Sequence, residues 1–217
     1  MPATMIHILM AYKFDPQADA SFYIGNFAPD AIEMRPGFTR EIKDIIHYRN
    51  TADRWRALRD LAKKTDPDNA CQEGFLMHLF YDACWDAGPH REYRKQHCPP
   101  SPQPHNHEWF RNYRREITLA GCWLYYTKPW MKDVWERIMH ESRDMELPDP
   151  GPTEQEILDF RDSVYHWHNQ NRVGPSAFYL PEFVEEYTDQ IVLDYKKWRN
   201  GNDEQTNDRI RGEEHHA

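Results

Sequence analysis

The segment EGFLMHLFYDACWD, residues 73–86, constrains the fold most, because it sets His78 and Asp82 four residues apart inside a strongly apolar helical pattern. Residues four apart share one face of a helix. Phe75, Leu76, Leu79, Phe80 and Trp85 pull most of that surface into a core, so an imidazole and a carboxylate are drawn inward together. A buried carboxylate without a partner costs several kcal/mol. Asp82 therefore needs a cation, a cluster of hydrogen-bond donors or a metal beside it. Gly74, one turn before His78, leaves room on that face for another backbone or an ion. The plain alternative is a core histidine hydrogen-bonded to its own carboxylate.

Apolar spacing of three to four residues recurs near 3–12, 18–28, 52–64, 68–86, 107–126, 129–142, 153–170 and 181–198, and no period-two strand stands out. The expected fold is an all-α, single-domain multi-helix bundle over residues 1–198, followed by a disordered polar tail over 199–217 that carries His215 and His216. Helix boundaries agree with this. Asp66-Pro67-Asp68 precedes the His78 helix, Gly88-Pro89 ends it, Pro129 opens the next apolar run but one, and Pro152-Thr153-Glu154-Gln155-Glu156 resembles a helix N-terminus. The long connections are 33–51, the proline-rich 98–107 and 143–152. With 217 residues and 14% aromatic side chains the chain can build one sizeable core, while a mean hydropathy of -0.96 keeps its outer faces polar. A net charge of -9 argues against a dominant nucleic-acid footprint, so no duplex nucleic acid is expected.

Candidate ligands lie elsewhere in similar settings. His7 sits in the apolar run Met5-Ile6-His7-Ile8-Leu9-Met10. Asp30 follows Pro29 in FYIGNFAPDAI, where a helix should end, and His47 closes the patch Ile45-Ile46-His47-Tyr48. Three histidines and two aspartates among large apolar residues are the N/O ligands that zinc and similar divalent ions prefer. Later in the chain, Tyr165-His166-Trp167-His168 offers two histidines pointing in different directions on a helix; His168 is the favoured ligand and His166 the reserve. The cysteines, Cys71, Cys84, Cys98 and Cys122, lack C-x-x-C spacing and read as structural thiols.

The order of these motifs resembles the zinc-dependent phospholipase C-like family, an all-helical superfamily that also includes the P1-type nucleases. A histidine on the first helix (His7) is followed by a G-N-x-x-P-D turn (Gly25, Asn26, Pro29, Asp30), then His47 after a loop, then a helical H-x-x-x-D (His78, Asp82). The resemblance covers roughly the first 90 residues by motif and the rest by helical character. It implies a helical bundle with a multi-metal site that hydrolyses phosphate esters. The secreted members' further H-x-x-x-E motif has no clean counterpart after Asp82. The nearest string, His140 to Asp144, lies in a polar run and reads as solvated surface.

The expected function is a zinc-type hydrolase acting on a phosphate ester through a metal-activated water, with a small phosphate-containing substrate or a phospholipid as partner. One ion takes Asp30, His47, His78 and Asp82; a second shares Asp82 and draws on His7 and His168. Paired ions about 3.5–4 Å apart can activate a bridging water and stabilise an in-line displacement. Asp30 is also the candidate general base. Rival readings are an acidic helical interaction module in which His78 and Asp82 satisfy each other, and a DinB-like bundle with one ion on three histidines. A phosphohydrolase of the HD type would need an adjacent His-Asp pair, and the sequence has none. His105 and His107 read as a solvated loop, and Arg115 is a candidate substrate contact. The apolar N-terminal run reaches Lys13 and Asp15 too soon for a signal peptide or a spanning helix, so the expected location is cytoplasmic.

Overall fold

Helices that are apolar around their whole circumference belong at the centre of a fold, and three of the described helices are of this kind. The computed structural model describes residues 2–99, 108–140 and 145–201. In it α1 (Thr4–Phe14), α2 (Ala20–Ala31) and α5 (Ala70–Trp85) pack together, with 14 of the 16 residues of α5 buried. Around them stand α3 (Arg40–Ile46), α4 (Arg54–Ala62), α6 (Arg91–His97), α7 (Glu108–Thr127), α8 (Pro129–His140), α9 (Glu154–Gln170) and α10 (Pro181–Arg199). These outer helices are amphipathic: α4 turns Trp55, Leu58 and Leu61 inward, and α8 turns Met131, Val134, Trp135 and Ile138 inward. Among the described residues there is no strand, and they form one compact all-helical unit. No helix among them is long and apolar enough to cross a membrane.

The central crossing depends on two glycines. A Cβ at Gly74 would lie 2.1 Å from the Phe22 carbonyl oxygen, and one at Gly25 would lie 2.0 Å from that of Cys71. Only glycine lets the backbones of α2 and α5 come this close. The room expected beside Gly74 is thus filled by another backbone, and Asn26 Nδ2 donates to the Gly74 carbonyl at 3.3 Å. The helix starts use side-chain caps. Thr153 and Glu156 form a reciprocal capping box at α9, with bonds of 3.2 and 2.7 Å, and Asn69 caps α5 through the Gln72 amide at 3.1 Å.

The structure departs from the sequence expectations at several points. The second helix does not stop before Asp30: α2 runs through Pro29 to Ala31 and a 3-10 turn, Ile32–Met34, follows. Proline in a last turn forfeits one helical hydrogen bond without breaking the rod. The 33–51 connection contains α3, capped by Thr39. Gly88-Pro89 does not end the chain's helical course, because a π-helical turn, Asp86–His90, carries α5 into α6. Tyr179 Oη donates to the Pro89 carbonyl at 3.1 Å, which satisfies an acceptor the wider turn exposes. Arg199, placed in the polar tail, is the last residue of α10; its Nε lies 3.0 Å from Glu73 Oε2. Residues 202–217, with His215 and His216, lie outside the described residues, as do His105, His107 and 141–144.

Candidate metal centre

The glycine crossing fixes the first candidate ligand. Because α2 and α5 touch at Gly74, the Asn26 carbonyl comes within 2.8 Å of His78 Nδ1 one turn later. A carbonyl only accepts, so Nδ1 carries the proton and Nε2 points its lone pair the other way. His47, the residue that ends α3, repeats this arrangement: its Nδ1 donates to the Lys43 carbonyl at 2.9 Å. The two Nε2 atoms then face each other 3.3 Å apart, and both imidazoles are fully buried. Two lone pairs at that distance repel unless a proton or another cation lies between them. Burial pushes the pKa of His47 below its usual value and that of His78 well below, with the neighbouring His7 adding to the second shift, so an imidazolium is disfavoured.

Two carboxylates complete the cluster. Asp82 Oδ2 lies 3.4 Å from His47 Nε2 and 3.8 Å from His78 Nε2, while Asp30 Oδ1 lies 3.3 and 3.9 Å from the same atoms. An ion bound at about 2.0–2.1 Å in tetrahedral geometry spreads its ligands about 3.3–3.4 Å apart. The separations of His47 Nε2 from His78 Nε2 and from both carboxylates match such an ion, while those of His78 Nε2 from the carboxylates are wider. His7 stacks on His78, with ring centroids 3.9 Å apart, and its Nε2 is 3.5 Å from Asp82 Oδ1. Both ring nitrogens of His7 and Asp82 Oδ1 are buried without a hydrogen-bond partner among the described residues. Orphaned polar atoms in a core are rare and ask for a missing partner. His7, Asp30 and His78 form one group able to hold a metal ion, and His47, His78 and Asp82 form another.

The cluster carries its own cations, which the sequence reading missed. Lys43, only 2% exposed, has Nζ 2.9 Å from Asp30 Oδ1, off the angle of a hydrogen bond, and forms a very short contact with Glu33. Arg49 Nη2 donates to Asp82 Oδ2 at 2.9 Å, and its Nε donates to Asp86 Oδ2 at 2.7 Å; Arg54 Nη1 reaches the same Asp86 oxygen at 2.9 Å. Burial alone would raise the carboxyl pKa values. Lys43 opposes burial at Asp30, and Arg49 opposes it at Asp82, and both are held well below the usual range. The spacing held a signal for these partners: Lys43 stands one turn before His47, and Asp86 one turn after Asp82. Tyr48, at φ +54°, turns the chain sharply between His47 and Arg49.

His168 is not brought into this cluster. Its Nδ1 donates to the Val164 carbonyl at 2.8 Å, one turn back on its own helix. It lines a cleft of about 360 Å³ that Asp30 also lines, together with Arg114. His166, Arg115 and His140 are exposed. Cys71, Cys84 and Cys122 are buried and none of the four cysteines forms a disulfide. A more apolar cavity of about 640 Å³, between the π turn and α10, holds none of the cluster residues.

These groups predict a pH response in chelated protein. Histidines with lowered folded pKa values are neutral in both states above about pH 6.5, and below it the unfolded chain takes up protons first. Stability should therefore fall as the pH drops from about 7 to 5, before the carboxylates contribute. Their contribution, full above an unfolded pKa of about 4, is lost only at lower pH still. Urea midpoints that stay level between pH 7 and 5 would contradict neutral, buried imidazoles.

No protein-family model matches this chain, and neither a curated protein nor a solved structure matches it. The functional reading therefore rests on the chemistry of these side chains.

Proposed function

We propose that the chain is a metal-dependent hydrolase of phosphate esters, akin to the phospholipase C-like enzymes, with a zinc-type ion held by His47, His78 and Asp82. The observation that carries this reading is the pair of buried, mutually facing Nε2 atoms 3.3 Å apart with Asp82 Oδ2 beside them. Two imidazoles and one carboxylate are a ligand set that leaves a position open for chemistry. Bound there, a divalent ion supplies Lewis acidity and a water acidified toward neutral pH.

The protein's own groups set up the rest. The carbonyls of Asn26 and Lys43 hold the two imidazoles in the tautomer that presents Nε2. Asp30 belongs both to the cluster and to the wall of the cleft, and Lys43 keeps it ionised, so it can accept a hydrogen bond from a water on the cleft side and orient it. His7, stacked on His78, stands against Asp82 Oδ1 and supports that carboxylate from behind. A second ion would have to share His78 with the first, because the other group able to hold one is His7, Asp30 and His78, and His168 lies outside the cluster. One ion per chain is the stoichiometry this arrangement favours.

A second reading has an observation of its own. Asp30, Asp82 and Asp86 each have a cationic side chain beside them, so the carboxylates balance without an ion. An acidic helical interaction module would need no more than that. It leaves the facing lone pairs and the unbonded nitrogens of His7 without a cause. The test is a screen of aryl phosphate, nucleotide and phospholipid substrates with metal-loaded protein. Hydrolysis of at least one should be found, and it should fall by more than about a hundredfold on chelation and in His78→Ala. Hydrolysis that survives complete metal removal would refute the mechanism.

A further inference from the structure

The cleft over Asp30 has a composition that speaks to the substrate. One wall is α7, which contributes Arg114 and Thr118; the other is α9, which contributes Phe160, Trp167 and His168. Arg114 is exposed and, among the described residues, its guanidinium meets no carboxylate. It stands where this cleft and a smaller one lined by Arg49 and His90 adjoin. An unpaired guanidinium at the mouth of a cleft is a ready partner for a planar or tetrahedral oxyanion.

His168 adds a second requirement. With Nδ1 donating to Val164, the atom it offers to the cleft is Nε2, an acceptor. An acceptor beside an anion site is satisfied by a ligand that brings an O–H of its own. The monoanion of a phosphomonoester does so, the form that prevails below a second ionisation close to pH 6, whereas a phosphodiester anion has no such proton. Phe160 and Trp167, the latter 39% exposed, supply apolar surface for the organic group. A cavity of about 360 Å³ is small, so that group must be compact.

From Arg114, His168 and the aromatic wall converging beside Asp30, we infer that this cleft binds a small phosphomonoester with a compact apolar organic group. Arg114 holds an anionic oxygen, His168 Nε2 accepts the remaining O–H, and Trp167 covers the organic group. This inference rests on the metal reading in one respect. Asp30 and Glu33 are both acidic, and an anion settles next to them only if the bound ion adds to the charge of Lys43.

Titration calorimetry on zinc-loaded protein with phenylphosphonate and its monomethyl ester tests the assignment. Phenylphosphonate should bind about tenfold tighter than the ester, which lacks the O–H, and chelation should weaken it. Arg114→Met should weaken it about tenfold or more, and His168→Phe should erase the preference over the ester. Both variants should keep the metal content of the unmodified chain, because neither residue belongs to the cluster. Arg114→Met with full metal and undiminished affinity would overturn the cleft assignment while leaving the ion site intact. Failure of the fully loaded chain to bind phenylphosphonate would overturn it as well. A chain that holds no metal yet binds phenylphosphonate would overturn the inference as stated, because the ion's charge is part of the site, and would also end the hydrolase reading.

Discussion

Asp82→Ala is expected to strip the ion from the protein and to lower its melting temperature by on the order of 10 °C. The carboxylate is fully buried; Oδ2 takes the Arg49 bond at 2.9 Å and stands 3.4 Å from His47, while Oδ1 stands 3.5 Å from His7. Its removal leaves a guanidinium that is only 13% exposed, and three imidazoles, facing an empty space. Breaking a buried ion pair by deleting one partner costs about 3–5 kcal/mol, and in a chain of this size each kcal/mol moves the melting temperature by about 2–4 °C. His140→Ala is the control, since that residue is exposed at the end of α8 and should change stability by less than about 0.5 kcal/mol. Calorimetric melting with metal analysis of both variants decides the matter. Equal melting temperatures and equal metal contents would make Asp82 an ordinary core carboxylate.

Gly74→Ala is expected to cost about 3 kcal/mol or more, far beyond the usual effect of adding one methyl group. The new Cβ would lie 2.1 Å from the Phe22 carbonyl oxygen and 2.8 Å from the Asn26 amide nitrogen, both backbone atoms with no rotamer to give way. The helices must part, and parting them moves the Asn26 carbonyl from its place 2.8 Å from His78 Nδ1. Loss of stability should therefore come with weaker metal binding, as expected when an outer partner orients a ligand. Gly37→Ala separates this from a general effect of glycine loss. At φ +74° with no atom within 4 Å it should cost only the backbone strain of about 1–2 kcal/mol and leave metal affinity alone. Urea titrations of the two variants measure the difference. A Gly74→Ala protein as stable as the unmodified chain would mean that α2 and α5 do not cross as closely as described.

What could be read from the sequence follows from how each signal is encoded. Helices such as α5, α8 and α9 announce themselves through apolar spacing and caps that lie within a turn of each other. The convergence of His7, Asp30, His47, His78 and Asp82 was legible because each polar residue sits in an apolar run, where burial forces it to find a partner. The short helix α3 was hidden because its buried positions include Lys43, and a lysine in a polar stretch reads as surface until the tertiary fold encloses it. The π turn was hidden because Gly88-Pro89 resembles a helix stop, and nothing local shows that Tyr179 and Tyr187 will brace it from afar. His168 fitted the rule of a histidine among aromatics, but the rule says nothing of where Nε2 points. Arg114 rather than its neighbour Arg115 lines the cleft, a choice set by the rotation of α7.

Elemental analysis of the chain purified without chelator tests the central claim most directly. The account predicts about one divalent transition-metal ion per chain, absent from His78→Ala and from Asp82→Ala but retained in Arg114→Met. A chain that carries no metal, and whose melting temperature does not rise when zinc is added, would contradict it.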